Sequence, residues 1–331
     1  MNYSGPTVFE LGEIAALKLA VGNFRKVETT LVGSGDDAAV VAVTDGRFVV
    51  TTDTMVESHD FRTEFSTGYD LGFKAVASNV ADIAAMGAKP IALVVAMVIP
   101  KNTTQMWLED FARGLQAGCD ELAPECEIVG GDLAAGEQIV IAVTAHGHLA
   151  GANPVLRSGA QVGDSVALAG TLGRAAAGLA LLESGNRDAI SAYDDLVNVQ
   201  RRPNPPIKAG VEAALAGATS MLDLSDGLAR DAARIAKASE VTLQIDPLML
   251  QGFEAVIEEA ARAIEANPSD WVIGGGEDHS LLATFPADAK LPRAFKAIGV
   301  VLPQGPAPVM LGANPLPERG WDSSRAASTS F

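Results

Sequence analysis

Cysteine is scarce in this chain: Cys119 and Cys126 are its only two. No CxxC or Cys/His ligand spacing surrounds them, so a disulfide framework and structural zinc are both set aside and a reducing compartment is expected. Aromatics are few as well, with three Trp and three Tyr. Basic charge is in deficit, 24 Lys and Arg standing against 41 Asp and Glu for a formal net charge of −17. That sign excludes a general nucleic-acid or anionic-membrane surface, since those are bound through an excess of Lys and Arg. If the protein handles phosphates, metal ions must help. Long apolar runs are missing too. The longest, Ile91 to Ile99, is too short to cross a bilayer, and the opening MNYSGPTVFELGE has neither a basic n-region nor an apolar h-region, so a soluble, cytoplasmic protein is expected. There is no GxxxxGK(S/T), no HRD or DFG, and no Ser-His-Asp or Cys-His constellation. P-loop and protein-kinase architectures are therefore removed, and acyl transfer is disfavoured.

What is present is an Ala/Val/Gly-rich chain of 331 residues, 48% hydrophobic, long enough for two domains that each bury a core. Its most pronounced stretch is Gly33 to Phe61. Ala38–Val43 and Phe48–Thr52 are β-rich runs, and Asp45-Gly46 between them suits a two-residue turn that needs positive φ, which predicts a hairpin. In that register Ala38 faces Asp53, and Asp36, Asp37 and Asp53 gather at one end; strand parity alone leaves Asp36 and Asp37 undecided. Clustered carboxylates repel, and an oxygen-liganded divalent cation is one remedy.

Helical spacing of Leu11, Ile14, Leu17 and Val21 predicts an opening amphipathic helix. A second helix is predicted over Tyr69–Met86, ended by Gly87 with Pro90 beyond, and its Lys74, Ser78 and Asp82 align on one face beside Asn79. Ile91–Ile99 reads as a strand, Asn102 as the cap of the next helix, and Gly130-Gly131-Asp132 as a turn just past a short strand. Ile139–His148 is the following strand, with His146 and His148 on one face. The Gly/Pro/Asn/Ser-rich 147–163 segment, which contains Arg157, divides the chain into expected domains 1–150 and 151–331. Beyond it, Ser165–Ala169 is a strand opening through Gly170–Gly173 into a helix. Asp223, Ser225 and Asp226 meet where a strand runs into a helix starting near Leu228, and Gly274–His279 forms a Gly-rich turn before the strand Ser280–Phe285. Any one of these loops could be a solvated turn or a helix cap. At least four Gly/Ser-Asp loops spread over both halves are more than capping predicts.

Taken in order, Gly-Asp-Asp-Ala-Ala-Val at Gly35, Thr-Thr-Asp-Thr-Met-Val at Thr51, Asn-Val-Ala-Asp-Ile-Ala-Ala-Met-Gly-Ala-Lys-Pro at Asn79, Gly-Gly-Asp at Gly130, Arg-Ser-Gly-Ala at Arg157, Leu-Asp-Leu-Ser-Asp-Gly-Leu at Leu222 and Gly-Gly-Glu-Asp at Gly275 resemble the thiamine-monophosphate kinases. That family is similar to the aminoimidazole ribonucleotide synthetases. The resemblance implies a two-domain fold of the latter type, with an α+β N-terminal half whose strands make a homodimer contact and an α/β C-terminal half, and with ATP and several Mg²⁺ between them. Carried over by position, it implies Asp37, Thr51, Thr52, Asp53, Asp82, Asp132, Asp223 and Asp226 as metal ligands, and Gly131, Asp132, Arg157 and Ser225 at ATP. It implies Asp60, Glu277 and Trp321 at thiamine phosphate. At Ser58-His59-Asp60-Phe61 the chain departs from the family, which has His directly before the Phe; here Asp60 stands there and His59 one position earlier.

The implied reaction passes the γ-phosphoryl of ATP to the phosphate of thiamine phosphate. That acceptor has a second pKa of about 6, so no general base is required and direct in-line transfer is expected. The alternatives are a related ATP-dependent enzyme of the aminoimidazole ribonucleotide synthetase type and a non-catalytic nucleotide-binding regulator.

Overall fold

The computed structural model describes residues 5–22, 24–25, 27–32, 40–43 and 45–321. Asp36, Asp37 and Ala38 lie outside them. The chain divides into two compact units, residues 1–83 with 89–151, and residues 84–88 with 152–331.

The first unit opens with α1 (Val8–Leu11) and α2 (Glu13–Val21), followed by β1 (Thr30–Val32), β2 (Val40–Val41) and β3 (Val49–Val56). Then come α3 (Gly68–Ala85), β4 (Lys89–Pro100), α4 (Gln105–Leu122), β5 (Glu127–Gly136) and β6 (Val140–His148). The expected single opening helix is thus two. A capping box between Thr7 and Glu10 starts the first, and Gly12 at φ +82° ends it. The break turns the apolar face, so Val8, Ala16 and Ala20 are buried while Leu11 is exposed.

Among the described residues the predicted hairpin does not form. β2 pairs antiparallel with β1, whereas β3 pairs along its whole length with β6, placing Asp53 opposite Val143. An eight-residue partner strand outcompetes a local turn, because each added pair brings ladder bonds and cross-strand packing. The sheet order is β3-β6-β4-β5, with β4 and β5 parallel. One face, carrying Leu93, Val95, Met97, Ile141, Val143 and Ala145, is buried. The cap of α4 is Thr104, accepting from the Trp107 amide, two residues later than Asn102. β5 runs straight through Gly130-Gly131-Asp132, because its pairing with β4 continues to Pro100 and Gly136. The glycines accommodate a register shift at Leu93/Val94 rather than a turn.

Helices α3 and α4 cross at glycines. A Cβ on Gly72 would lie 2.1 Å from the Phe111 carbonyl oxygen, and one on Gly114 would lie 2.0 Å from that of Tyr69. Only hydrogen at both positions permits backbones this close.

The second unit contains β7 (Ser165–Ala169), α5 (Arg174–Ser184), α6 (Arg187–Ala192), α7 (Asp194–Arg201), α8 (Ile207–Leu215), β8 (Ser220–Leu224), α9 (Leu228–Ser239) and β9 (Val241–Ile245). It continues through α10 (Pro247–Ala263), α11 (Pro268–Gly274), β10 (Ser280–Phe285), β11 (Phe295–Pro303), β12 (Val309–Leu311) and β13 (Asn314–Pro315). The seven strands order as β13-β12-β9-β11-β7-β10-β8, and only β9 and β12 run parallel. β7, β8 and β10 are buried almost throughout, apolar for most of their length but with Asp223 as a buried charged residue within β8.

Candidate functional site

In the first unit the pleat sorts the candidate residues. Thr51 and Asp53 alternate with Thr52 along β3, and Thr51 pairs with the fully buried Ala145, so it faces the helical side. Its hydroxyl donates to Asp82 of α3 at 2.8 Å. The α3 stripe is therefore an inner one: Lys74, Ser78 and Asn79 are buried, and Asp82 is half-buried. Asp53 is exposed on the edge strand, accepting the Thr54 amide at 2.9 Å. Thr51, Asp53 and Asp82 thus share one side of the sheet.

Thr52 and Asp132 lie on the other side. The Thr52 hydroxyl donates to the Val143 carbonyl at 3.0 Å and accepts from Thr144 at 3.3 Å. Asp132 is opposite Ala96, alternating with the buried Leu133–Met97 pair, and is exposed on the far edge strand. Gly131 has a structural reason of its own, since a Cβ there would sit 2.2 Å from the Val95 carbonyl oxygen.

Just beyond β3, Asp60 is turned inward on its own loop. One carboxylate oxygen accepts the Val56 amide at 2.8 Å and the other meets His59 Nδ1 at 3.0 Å. His59 and Asp60, which the sequence leaves as rivals for one role, are partners in the fold.

The second unit brings together two loops that are distant in sequence. Residues 223–227 leave β8 and residues 275–279 enter β10, which pairs with β8 so that Asp223 lies opposite Leu281. The Glu277 amide donates to the Ser225 carbonyl at 3.0 Å and the His279 amide to that of Leu224 at 3.2 Å. Glu277 and His279 both adopt positive φ, +70° and +48°, to make this turn. Gly276 is needed there because a Cβ would lie 2.2 Å from the Ser225 carbonyl oxygen. Arg157 is exposed, and its carbonyl accepts from Ser239.

The carboxylates of this loop pair are held by groups that their sequence neighbourhood does not announce. Asp223 is buried 3.2 Å from Nδ1 of the equally buried His279. Asp226 pairs with Arg234, which also pairs with Asp231. Asp231 is wholly buried and accepts the Asp226 amide at 2.9 Å. Burial pushes its carboxyl up to about 7 even though the Arg234 guanidinium pulls it back. Asp278, also buried, accepts from the Thr171 hydroxyl at 2.6 Å, and burial again raises it above the usual carboxylate range. Asp231, Arg234, Asp278 and His279 were not among the expected site residues. Asp278 and His279 lie within the Gly274–His279 turn that the sequence singles out, and the advance signal for Arg234 was the i, i+4, i+8 spacing of Asp226, Arg230 and Arg234.

Trp321 is half-buried, and its amide donates to the Asp226 carbonyl at 3.0 Å. Glu277, Ser225 and Trp321 therefore converge on one stretch of backbone. Asp37 lies outside the described residues. Among those described, no group of three or more His, Cys, Asp or Glu is arranged as a metal cage. The donor set itself, carboxylates with threonine and serine hydroxyls, is all oxygen and suits a hard cation rather than zinc.

The family description "AIR synthase related protein, N-terminal domain" matches residues 35–149, and its C-terminal counterpart matches residues 161–299. The thiamine-monophosphate kinase of Mycobacterium tuberculosis is 41% identical over 322 residues, covering 96% of this chain and 93% of the relative. That of Corynebacterium glutamicum is 39% identical over 304 residues, covering 90% and 88% respectively. Among solved structures, the thiamine-monophosphate kinase of Stenotrophomonas maltophilia K279a superposes with a TM-score of 0.74 at 29% identity, over 87% of this chain and 92% of that one. A structure described as AaThiL complexed with AMPPCP and TMP matches with a TM-score of 0.73 at 25% identity, over 97% and 99%.

Proposed function

The chain belongs to the thiamine-monophosphate kinase family and is an ATP-dependent kinase of thiamine phosphate; from that premise we propose that it works by direct in-line transfer, with Mg²⁺ ions held by its aspartates. The observation carrying the assignment is relatedness that runs over 96% of the chain.

Asp53, Asp82 and Thr51 offer Mg²⁺ three oxygen donors on one side of the first sheet, and Asp37, which lies outside the described residues, is assigned as a further ligand by its place in the family motif. Thr52 and Asp132 complete the proposed first-unit ligands from the opposite side, Asp132 acting with Gly131 toward ATP. In the second unit Asp223 and Asp226 are the ligands. His279 and Arg234 hold these two carboxylates in place, and the Arg234 guanidinium balances the charge of Asp226. Held by these residues, Mg²⁺ would offset the repulsion between two polyanions. Arg157 and Ser225 serve ATP; Asp60, Glu277 and Trp321 serve the acceptor. No side chain is asked to remove a proton, because a phosphate monoester with a second pKa of about 6 is already largely ionised at neutral pH.

The uncovered sheet face supports a homodimer. Val50 and Thr54 of β3 and Ala96 and Ala134 of β4 and β5 are exposed there, small or β-branched, on the face that also carries Thr52 and the exposed Asp132, so the interface would adjoin those two assigned residues; Val41 of β2 packs near Ile91, Ala92 and Val129. The biosynthetic role of its relatives and the free, buried Cys119 and Cys126 support a cytoplasmic location.

Incubation of the purified protein with ATP, Mg²⁺ and a panel of phosphate monoesters tests the reading. Thiamine phosphate should be converted to the diphosphate, EDTA should stop the reaction and Mg²⁺ should restore it. Conversion of another acceptor in its place, or rescue by zinc alone, would overturn the substrate or the metal assignment respectively.

A further inference from the structure

The segment leading to Trp321 is fastened to α9 and its neighbour by a series of specific contacts. Lys237 pairs with Glu318, and Arg319 lies 3.2 Å from Asp270. Position 320 demands glycine twice over, since its φ is +143° and a Cβ there would stand 2.0 Å from the Asp226 carbonyl oxygen. The Trp321 amide donates to that same oxygen at 3.0 Å, and the Arg230 guanidinium donates to the Trp321 carbonyl. Both peptide groups flanking the Trp321 side chain are thereby held. Arg230 lies in the first turn of α9, which follows Asp226, and one turn before Arg234, the residue that binds the Asp226 carboxylate.

We infer that Arg230 is a positioning residue for the acceptor: by clasping the Trp321 carbonyl it fixes where the indole stands relative to Asp226. The inference rests on the proposed role of Trp321 at thiamine phosphate. An aromatic on an unfastened chain end would lose backbone and side-chain freedom each time it stacked on a ligand, weakening binding by that entropy. With both peptide groups held, the loss is taken on folding. Asp226 is then shared, its carboxylate held by Arg234 for the proposed metal and its carbonyl by the tail, so acceptor affinity and the Asp226 loop are coupled through a single residue.

The test is a kinetic cycle on the full chain. Arg230→Ala should raise KM for thiamine phosphate about tenfold, the scale of one charge-assisted hydrogen bond, with kcat and KM for ATP little changed. Arg230→Lys, which keeps an N–H donor, should recover part of the loss. In a Trp321→Ala background the Arg230 substitution should have no further effect, since residues acting as a unit are not additive. Gly320→Ala should reproduce the acceptor defect from the other side of the clasp. A second readout is tryptophan fluorescence: Trp107 and Trp271 are 7% and 4% exposed, so quenching by thiamine phosphate should report Trp321 and weaken in Arg230→Ala.

An unchanged acceptor KM in Arg230→Ala, an equal rise in KM for ATP, or full additivity with Trp321→Ala would each overturn the inference while leaving the kinase assignment intact. An unchanged acceptor KM in Trp321→Ala would overturn the stacking role together with it. Absence of thiamine phosphate kinase activity in the wild-type protein would bring down the functional reading first.

Discussion

Asp53 is exposed on an edge strand, where it accepts the Thr54 amide. Asn has the same shape as Asp and keeps an oxygen acceptor at this exposed position, so Asp53→Asn should leave the melting temperature near the wild-type value while turnover is abolished. Circular dichroism with a kinase assay checks both halves; near wild-type turnover, or an unfolded variant, would count against a metal role. Asp278 is the opposite case, buried and bonded to Thr171. Burial raises its folded-state pKa above the unfolded value, so the folded protein holds the proton more tightly. The stability due to this group is fully present below the unfolded value of about 3.9 and is lost as pH rises through the raised folded pKa. Asp278→Asn should thus be less stable than wild type at pH 4, by about 1 kcal/mol for a poorer hydrogen bond, and gain on it as pH increases. Thermal melts of the two proteins across pH 4–8 measure this; a gap independent of pH would show that Asp278 is ionised throughout.

Among elements, the crossing of α3 and α4 sets where Asp82 stands, because Asp82 lies on the same helix as the glycine contacts at Gly68 and Gly72. Gly72→Ala must push the two backbones apart and should cost about 2–3 kcal/mol, the usual penalty of forcing extra atoms into a close-packed contact. Urea denaturation checks the loss, which should exceed that of Gly252→Ala, where nothing lies within 4 Å. The elements best read from sequence are those with strong internal periodicity and clear punctuation. α3 with its Gly87 stop and the strands Ser165–Ala169 and Ser280–Phe285 match their expected spans to within a residue. The predicted hairpin failed because Asp45-Gly46 is a local signal and strand pairing is not. β3 found eight partners in β6, some ninety residues away, and local turn chemistry could not compete.

At the scale of the molecule, the uncovered face of the first sheet leads to a prediction of its own. The protein should sediment as a dimer at micromolar concentration, and Ala142→Arg, placing a charge in the row between Thr54 and Ala96, should yield a monomer. A wild-type monomer, or a variant that stays dimeric, would remove this face from the interface. What the sequence by itself determined is the order of oxygen-bearing loops, the two-part organisation and the chemistry they can serve, because donor type and glycine placement are local properties of the chain. What only the tertiary structure decided is which donors share a side and what balances their charge. Thr51 and Asp53 face Asp82 while Thr52 and Asp132 face away, a matter of strand register. Asp223 and Asp226 look unaccompanied in sequence, yet His279 comes from 56 residues downstream and Arg234 from two turns along α9 to meet them. Burial makes such partners necessary, since a carboxylate withdrawn from water needs a cation or a proton, and folding selects whichever its topology brings within reach.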